Sequence, residues 1–355
     1  MFVLMRNRGV RPVHSMTALP FAFLCVAATL SLAACAGREA NGRQTAASAD
    51  ERIDHYADRI AAHPRVYATY LGLAQAYLDK ARETHDPLWL AKAEAATQTS
   101  FDIMPGIEGY KMQARIAAFR HRFDDTLKWA TEAAKLLSAD VTDGGVTALL
   151  VEAHMGLKQF DEARKLLPAD GAPPADFHTA AAMGHWFVSQ GRRNDAAGAF
   201  EAASRLAEAQ QANSLAAWGQ VMAAGVYLDA GEIDAARPHL QAAAALDPTG
   251  RELRIHEAEL MVAEGRAPAA IARYEALIAE APDAELHRRI FILEQARGED
   301  EKARAHYLAA EELLIRILDA GETYSLDELV RLYVDGGMTA EEARERSAGL
   351  LKTSG

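Results

Sequence analysis

Cysteine is the residue type in this chain whose position most clearly suggests a chemical reaction. The sequence has two cysteines, Cys25 and Cys35, and both lie near the N-terminus. Cys35 follows Leu-Ala-Ala at the end of an apolar run over residues 19–32, and three arginines with no acidic residue among them precede that run: Arg6, Arg8 and Arg11. A basic start and an apolar run shorter than the about 20 residues that span a membrane indicate a signal peptide over residues 1–34.

The ending Leu-Ala-Ala-Cys resembles the bacterial lipobox. The resemblance implies that the Cys35 thiol receives diacylglycerol, that the chain is cut before Cys35, and that the new amine is acylated. Two or three acyl chains, at about 0.8 kcal/mol per buried methylene, would anchor the protein firmly. Removal of Cys25 would leave no thiol for a disulfide or a metal site. An ordinary signal peptide followed by a chance cysteine is the alternative.

Residues 35–50 are predicted to be the lipidated cysteine and a flexible tether with a reach of about 20 Å, because small and polar residues without apolar periodicity dominate them. Ala36, not aspartate, follows the cysteine. By resemblance to enteric lipoprotein sorting, this favours the outer membrane of a bacterium. The expected location is therefore the cell envelope, with the chain facing the periplasm.

No other set of residues is spaced for catalysis. The sequence lacks a phosphate-binding glycine loop, a His-Glu-x-x-His motif, paired cysteines and a Gly-x-Ser-x-Gly motif. His178 and His185 are two helical turns apart, about 10 Å, which is too far for both to ligate one metal at about 2 Å. The acid pairs of the sequence fit solvated helix faces. We therefore predict no enzyme activity, no cofactor and no metal site.

Composition excludes further functions. The formal net charge is −12 at pH 7, and loss of the signal peptide would remove three more arginines. A chain this acidic has no electrostatic footprint for nucleic acid or for an anionic membrane surface. Aromatic residues make up 7% of the chain and alanine is abundant, which suits closely packed helices better than a sheet core.

A repeated spacing of small and large residues begins at residue 177. Four glycines each close a predicted helix; an alanine follows five residues later and a large residue four positions further on. These positions are Gly191, Gly231, Gly265 and Gly298, then Ala196, Ala236, Ala270 and Ala303, then Phe200, Leu240, Tyr274 and Tyr307. The last three glycines are separated by 34 and 33 residues. Such regular spacing indicates stacked helical units.

This period resembles the tetratricopeptide repeat, a helix-turn-helix unit of about 34 residues. The small residue of the family's first helix matches Gly184, Ala224 and Ala258, and its large residue matches Phe187, Tyr227 and Met261. Small side chains let the two helices approach closely, and each unit has an apolar face that it cannot bury alone. The resemblance implies an all-α fold, a right-handed superhelical solenoid of stacked units.

Weaker copies extend the array toward the N-terminus. We predict about seven units over residues 51–314, the first three degenerate, with a longer loop inside the first unit from Thr84 to Pro87. A lone helix from Tyr56 to Pro64 should precede them. Residues 315–355 predict two capping helices, the second opened by a capping box of Thr339 and Glu342. A truncated eighth repeat is the alternative for this segment.

Two functions fit these features. The family resemblance favours a scaffold whose concave face binds envelope proteins or extended peptide segments and so assembles or stabilises an envelope complex. The alternative is a small-molecule or metal-binding receptor, or an accessory subunit of an enzyme, that uses the same groove. Spacing along the first helices gives these candidate partner-binding residues on the concave face: Lys111, Arg115, Glu152, His178, His185, Trp218, Asp229, Glu259, Arg288 and Gln295.

Trp218 is predicted near the centre of this groove, between His185 and Glu259 of the neighbouring units. An exposed tryptophan there would suit a binding hot spot. The competing prediction is that Trp218 packs against the insertion between Leu206 and Ser214, which lengthens this repeat step to about forty residues.

Replacement of the lipidated cysteine tests the N-terminal interpretation. We expect Cys35→Ala to abolish incorporation of a labelled fatty acid, because no other cysteine would remain after processing. Metabolic labelling of both proteins measures this. Label that persists in the variant would refute the lipobox.

Overall fold

The computed structural model describes residues 48–138 and 141–351, and every element within those ranges is an α-helix. The predicted signal peptide, Cys35 and the predicted tether as far as residue 47 lie outside the described residues. The first helix, α1 (Ala49–Ala62), begins where the tether was predicted to end and seven residues before the lone helix predicted from Tyr56. Ser48 caps it, since the Ser48 hydroxyl accepts from the amide of Glu51 and the Glu51 carboxylate accepts from the amide of Ser48.

The next fourteen helices form seven pairs, each with a first and a second helix. The pairs are α2 (Tyr67–Thr84) and α3 (Leu88–Ile103), α4 (Ile107–Phe119) and α5 (Phe123–Lys135), α6 (Gly144–Gly156) and α7 (Phe160–Leu166), α8 (Phe177–Ser189) and α9 (Arg193–Ala209), α10 (Asn213–Asp229) and α11 (Ile233–Leu246), α12 (Arg251–Ala263) and α13 (Ala267–Glu280), and α14 (Ala284–Arg297) and α15 (Asp300–Asp319). They are units 1 to 7 of an all-α solenoid. The helix α15 continues five residues past the boundary at 314 that the sequence suggested.

Two further helices follow, α16 (Ser325–Asp335) and α17 (Ala340–Leu351). The predicted capping box is present, because the Glu342 carboxylate accepts from the amide of Thr339 at 2.8 Å and the Thr339 hydroxyl accepts from the amide of Glu342 at 3.3 Å. Leu332 and Tyr333 of α16 are fully buried in one apolar cluster with Leu314 of α15. The final pair therefore covers the apolar end of unit 7.

The turns between first and second helices use a left-handed residue. Gly191, Gly231, Gly265 and Gly298 all have positive φ, between 68° and 76°, as their predicted role requires. Units 1 to 3 have other residues at this place, and each also has positive φ: His85 (52°), His121 (53°) and Lys158 (60°). The left-handed conformation is disfavoured for residues with a Cβ atom, so the sequence pattern did not reveal these three turns.

Close helix contact depends on small residues. Ala196, Ala236 and Ala270 are completely buried, and a Cβ atom added to Gly184 would lie 2.5 Å from the ring of Phe200. The apolar core is divided into successive clusters along the chain, each of which joins neighbouring helices. This division agrees with units that are stable only when stacked.

The insertion before Ser214 lengthens helices instead of adding a loop. The helices α9 and α10 each have 17 residues, and only three residues separate them. Leu206, Ala212 and Leu215 pack into one apolar cluster at this extended end. The longer repeat step is therefore one additional helical turn on each side of a tight connection.

Two glycines inside helices of this region provide a matched test of close packing. At Gly219 an added Cβ atom would lie 2.8 Å from the carbonyl oxygen of Phe200 and 2.8 Å from the amide nitrogen of Ser204, whereas at Gly198 it would meet no atom within 4 Å. We expect Gly219→Ala to lower the free energy of unfolding by about 1–3 kcal/mol through overpacking. Gly198→Ala should raise it by up to about 1 kcal/mol through helix propensity. Chemical denaturation measures both, and equal effects would contradict the α9–α10 contact.

Candidate functional site

The first helices of the units line the inner side of the array. The helix α2 packs on α4, α4 on α6, α6 on α8, and α10 on α12, whereas second helices pack on first helices and make no comparable contact with one another among the described residues. An array whose first helices touch and whose second helices spread apart curves toward the first helices. We call the side formed by the first helices, including α16, the inner wall.

Two predicted binding residues of unit 2 connect units instead of facing a partner. Lys111 is 3% exposed, and its Nζ atom donates to Glu108 and to Asp143 at 3.0 Å each. Arg115 is 7% exposed and donates to the Gln75 side chain of unit 1 at 3.3 Å. Since Asp143 also caps α6, the Lys111 contact fixes the start of unit 3 against unit 2. Both side chains therefore stabilise contacts between neighbouring units.

The two histidines of α8 are also buried, each to 8% exposure. Burial lowers the pKa of both to about 4, and for His178 the charges of Arg115 and Lys111 lower it further. Both imidazoles are therefore neutral near pH 7. His185 Nε2 makes no hydrogen bond among the described residues. Glu152 of α6 is 2% exposed, so the inner wall of units 2 to 4 is largely closed to solvent.

Trp218 is only partly buried and packs against unit 4. Its ring lies 5.6 Å from that of Phe177, 5.9 Å from that of Phe200 and 6.0 Å from that of His185. Folding therefore gives this tryptophan packing partners of its own, namely these aromatic rings. It also joins the apolar cluster of the elongated α9–α10 end, as the competing prediction stated, while it remains beside His185.

Units 5 to 7 carry the more accessible side chains of the inner wall. Asp229 and Gln295 are exposed and Glu259 is partly exposed. Arg288 is 8% exposed and pairs with Glu285 of its own helix and with Asp335 of α16. The predicted residues are therefore not equivalent, since Arg288 is used for contacts between units while Asp229 and Gln295 face solvent.

A charged cluster runs across α10, α12, α14 and α16. Arg289, which the sequence reading missed, pairs with Glu259 of α12, and its Nε donates to Glu285 at 3.0 Å. His256 Nε2 lies 3.7 Å from Glu259. Five residues of this wall were not predicted, although each is a charged residue at a concave position of a first helix or of the final pair, which is a pattern that the sequence shows. They are Glu252, Glu285, Arg289, Glu328 and Arg331.

Three carboxylates of this inner wall have no cationic partner at contact distance. Asp229, Glu252 and Glu328 form no side-chain hydrogen bond or ion pair with another described residue. Desolvation raises the pKa of Asp229 to about 6, and nearby Glu259 adds to the rise. Desolvation raises the pKa of Glu328 to about 7, and it also raises the pKa of Glu252. These groups lie in surroundings that favour a neutral form or a bound cation.

A metal site needs several ligating side chains around one point, and a membrane crossing needs a long apolar helix. Among the described residues, no three or more His, Cys, Asp or Glu side chains are arranged to hold a metal ion. Within the same ranges, none of the helices combines the length and the apolar character that a membrane crossing needs.

Comparison with known proteins agrees with this geometry. The tetratricopeptide repeat family matches residues 227–289, and no curated protein sequence matches the chain. Among solved structures, the chain is similar to human IFIT1 bound to m7Gppp-AAAA, with a TM-score of 0.53, 16% identity and coverage of 84% of this chain and 76% of that one.

Two further structures are similar at lower overlap. The APC/C hetero-tetramer Cut9–Hcn1 has a TM-score of 0.50 and 18% identity, with coverage of 70% of this chain and 46% of that one. This chain therefore spans under half the length of that chain. A tetratricopeptide repeat protein from Parabacteroides merdae has a TM-score of 0.45 and 16% identity, with coverage of 79% and 98%.

The helix pairs, their turns and these similarities define a class of protein. The chain is an all-α, right-handed superhelical solenoid of stacked helix-turn-helix units that are similar to tetratricopeptide repeats, as the sequence predicted.

The raised pKa of Glu328 gives a pH-dependent prediction. In the folded state its carboxyl keeps a proton up to about pH 7, whereas the unfolded chain loses that proton near the ordinary value of 4.5. Stability from this group is therefore present at low pH and is lost as the pH rises between those values. We expect Glu328→Gln to raise the free energy of unfolding at pH 8 by about 1–2 kcal/mol, discounted for partial exposure.

At pH 5 the same variant should stabilise the protein much less, because pH 5 lies close to the unfolded-state value and most of the loss of stability occurs between there and pH 7. Thermal melts at both pH values measure this. Glu312→Gln, an exposed position on α15, is the control and should show no such pH difference. A stabilisation that is equal at pH 5 and pH 8 would contradict the buried carboxyl.

Proposed function

We propose that this protein is a lipid-anchored scaffold of the bacterial cell envelope, which holds an extended, basic polypeptide segment along the inner wall of units 5 to 8, where α16 and α17 count as unit 8. Binding there would assemble or stabilise an envelope complex. The anchor would be the lipid on Cys35, and the segment up to residue 47 would set the distance between membrane and array.

One observation carries the partner chemistry. Asp229 is an exposed and Glu252 and Glu328 are half-buried carboxylates of the inner wall; the surrounding wall partly desolvates them, and none forms an ion pair at contact distance, although the array is otherwise rich in ion pairs. Desolvated charges without partners cost stability. Three such carboxylates on one wall would favour binding of a partner that supplies lysine or arginine side chains, because opposite charges attract strongly at a partly desolvated interface.

The remaining charges of this wall agree with a basic partner. Arg288 and Arg289 are already engaged by Glu259, Glu285 and Asp335, so they are not available to attract an anion. The similar human IFIT1 structure holds m7Gppp-AAAA, but the phosphates of such a ligand would meet an acidic wall here, and the whole chain is acidic as well. A polypeptide partner fits this electrostatic pattern and a nucleic acid does not.

The membrane anchor rests on the N-terminal sequence. The apolar segment over residues 19–32 ends in Leu-Ala-Ala-Cys, and the first helix of the described residues begins at Ala49. A tether of this length and composition would let the array move by about 20 Å from the bilayer. The outer membrane is the proposed location because Ala36 follows the cysteine.

Neutralisation of two inner-wall acids tests the proposed function. We expect the double variant Asp229→Asn and Glu252→Gln to capture the basic partner at least about tenfold more weakly, since loss of about 1.4 kcal/mol corresponds to that factor. The same variant should melt at a higher temperature at pH 8, because the removed charges oppose folding. Capture from detergent-solubilised envelopes, with the lipid anchor intact and the same partner quantified in each sample, measures the first effect.

The control is Glu312→Gln, which removes one exposed acid from a second helix. It should leave both capture and melting unchanged. Equal partner recovery with the double variant and the wild type would refute an inner-wall site, and equal loss with the control would indicate nonspecific charge attraction.

A further inference from the structure

The two ends of the array touch each other. Arg120, at the end of α4, forms an ion pair with Glu322, which precedes α16, with 2.9 Å between Nε and Oε1. His85 Nδ1 lies 3.1 Å from the carbonyl oxygen of Pro282, 197 residues away in sequence. The His121 ring lies 5.5 Å from that of Tyr324. Units 1 and 2 thus meet the connections that precede units 7 and 8, so that one turn of the superhelix brings the two ends together; we call this closed turn the ring.

These contacts involve side chains at turns and not packed helices. Among the described residues, no helix of α1 to α5 makes an extensive contact with any helix of α13 to α17. The closing contact therefore lacks an apolar core, in contrast to every junction between consecutive units. Small polar contacts of this kind open more readily than packed ones. Desolvation raises the pKa of Glu322, although Arg120 and Arg122 act against the rise, so burial of this carboxylate carries a cost.

The backbone at the N-terminal side supplies an independent observation. His85 and His121 occupy the left-handed turn position at which units 4 to 7 have glycine. A glycine would adopt this conformation without strain, so turn formation does not explain the histidines. Both imidazoles instead reach the opposite end of the array. Lys158 is the third residue of this type; it is exposed and makes no contact across the ring.

We propose that the contact of His85, Arg120 and His121 with Pro282, Glu322 and Tyr324 is a reversible latch that controls access to the inner wall. When the latch is closed, the ring retains a bound segment. When it opens, the ends separate and a segment reaches the inner wall from the side, without being threaded. The access role rests on the proposed function, but the latch itself can be tested without any partner.

Hydroxyl-radical footprinting of the full chain, read by mass spectrometry, tests this. In the wild type, Tyr324 should be oxidised several-fold more slowly than in the denatured chain. We expect His121→Gly and Glu322→Gln each to raise the oxidation rate of Tyr324 several-fold and that of Trp218 in the same direction. Tyr274, which is 1% exposed in the core of unit 6, should stay protected.

Lys158→Gly is the matched control, because it removes the same backbone strain of a left-handed turn residue at a position outside the latch. It should leave Tyr324 and Trp218 unchanged. If the latch variants fold and the oxidation rate of Tyr324 is unchanged in them, the latch proposal is wrong. It is also wrong if Tyr324 of the wild type is oxidised as fast as in the denatured chain. If the oxidation rates of Tyr324 and Tyr274 rise together, the substitution has unfolded the protein. The contact is then part of the stable fold and not a reversible latch, which also overturns the proposal. A rise of Tyr324 alone would refute control of access while partner capture could still succeed.

Discussion

Close contact between successive helices is the constraint on which the rest of this structure depends. At the contact of α9 with α10, backbone atoms of α9 lie only 2.8 Å from the position that a Cβ atom on Gly219 would take. Elsewhere in the array, fully buried alanines such as Ala196, Ala236 and Ala270 lie at helix contacts. Because larger side chains would separate the helices, the curvature of the array and the spacing of its inner-wall charges follow from these small residues.

The periodic part of the sequence was enough to predict the fold. Glycine at left-handed turns and alanine at helix contacts are determined by local geometry, and local geometry repeats every unit. The turns at His85, His121 and Lys158 could not be predicted in this way, because their conformation is strained and the sequence shows no glycine. The final α16 and α17 pair was anticipated from amphipathicity and a capping box, both of which are local signals.

The candidate site was predicted less completely, and for a physical reason. Position in a repeat shows which face a residue lies on, but it does not show whether another unit covers it. Lys111 and His178 lie on the expected face and are nevertheless buried, because neighbouring first helices converge there. Arg289 was missed since its contact with Glu259 joins two units. Pairing of charges between units depends on superhelical curvature, which a single repeat does not encode.

Closure of the ring also has an evolutionary consequence. In an open solenoid, gain or loss of one repeat changes length and little else, because each unit contacts only its neighbours. Here the contact of Arg120 with Glu322 forms only if the repeats between these two residues bring the end of the array back to its start. Deletion or duplication of one unit would move these residues apart by the width of a helix pair. The number of repeats is therefore fixed in this protein, and its sequence should diverge by substitution and not by change in repeat number.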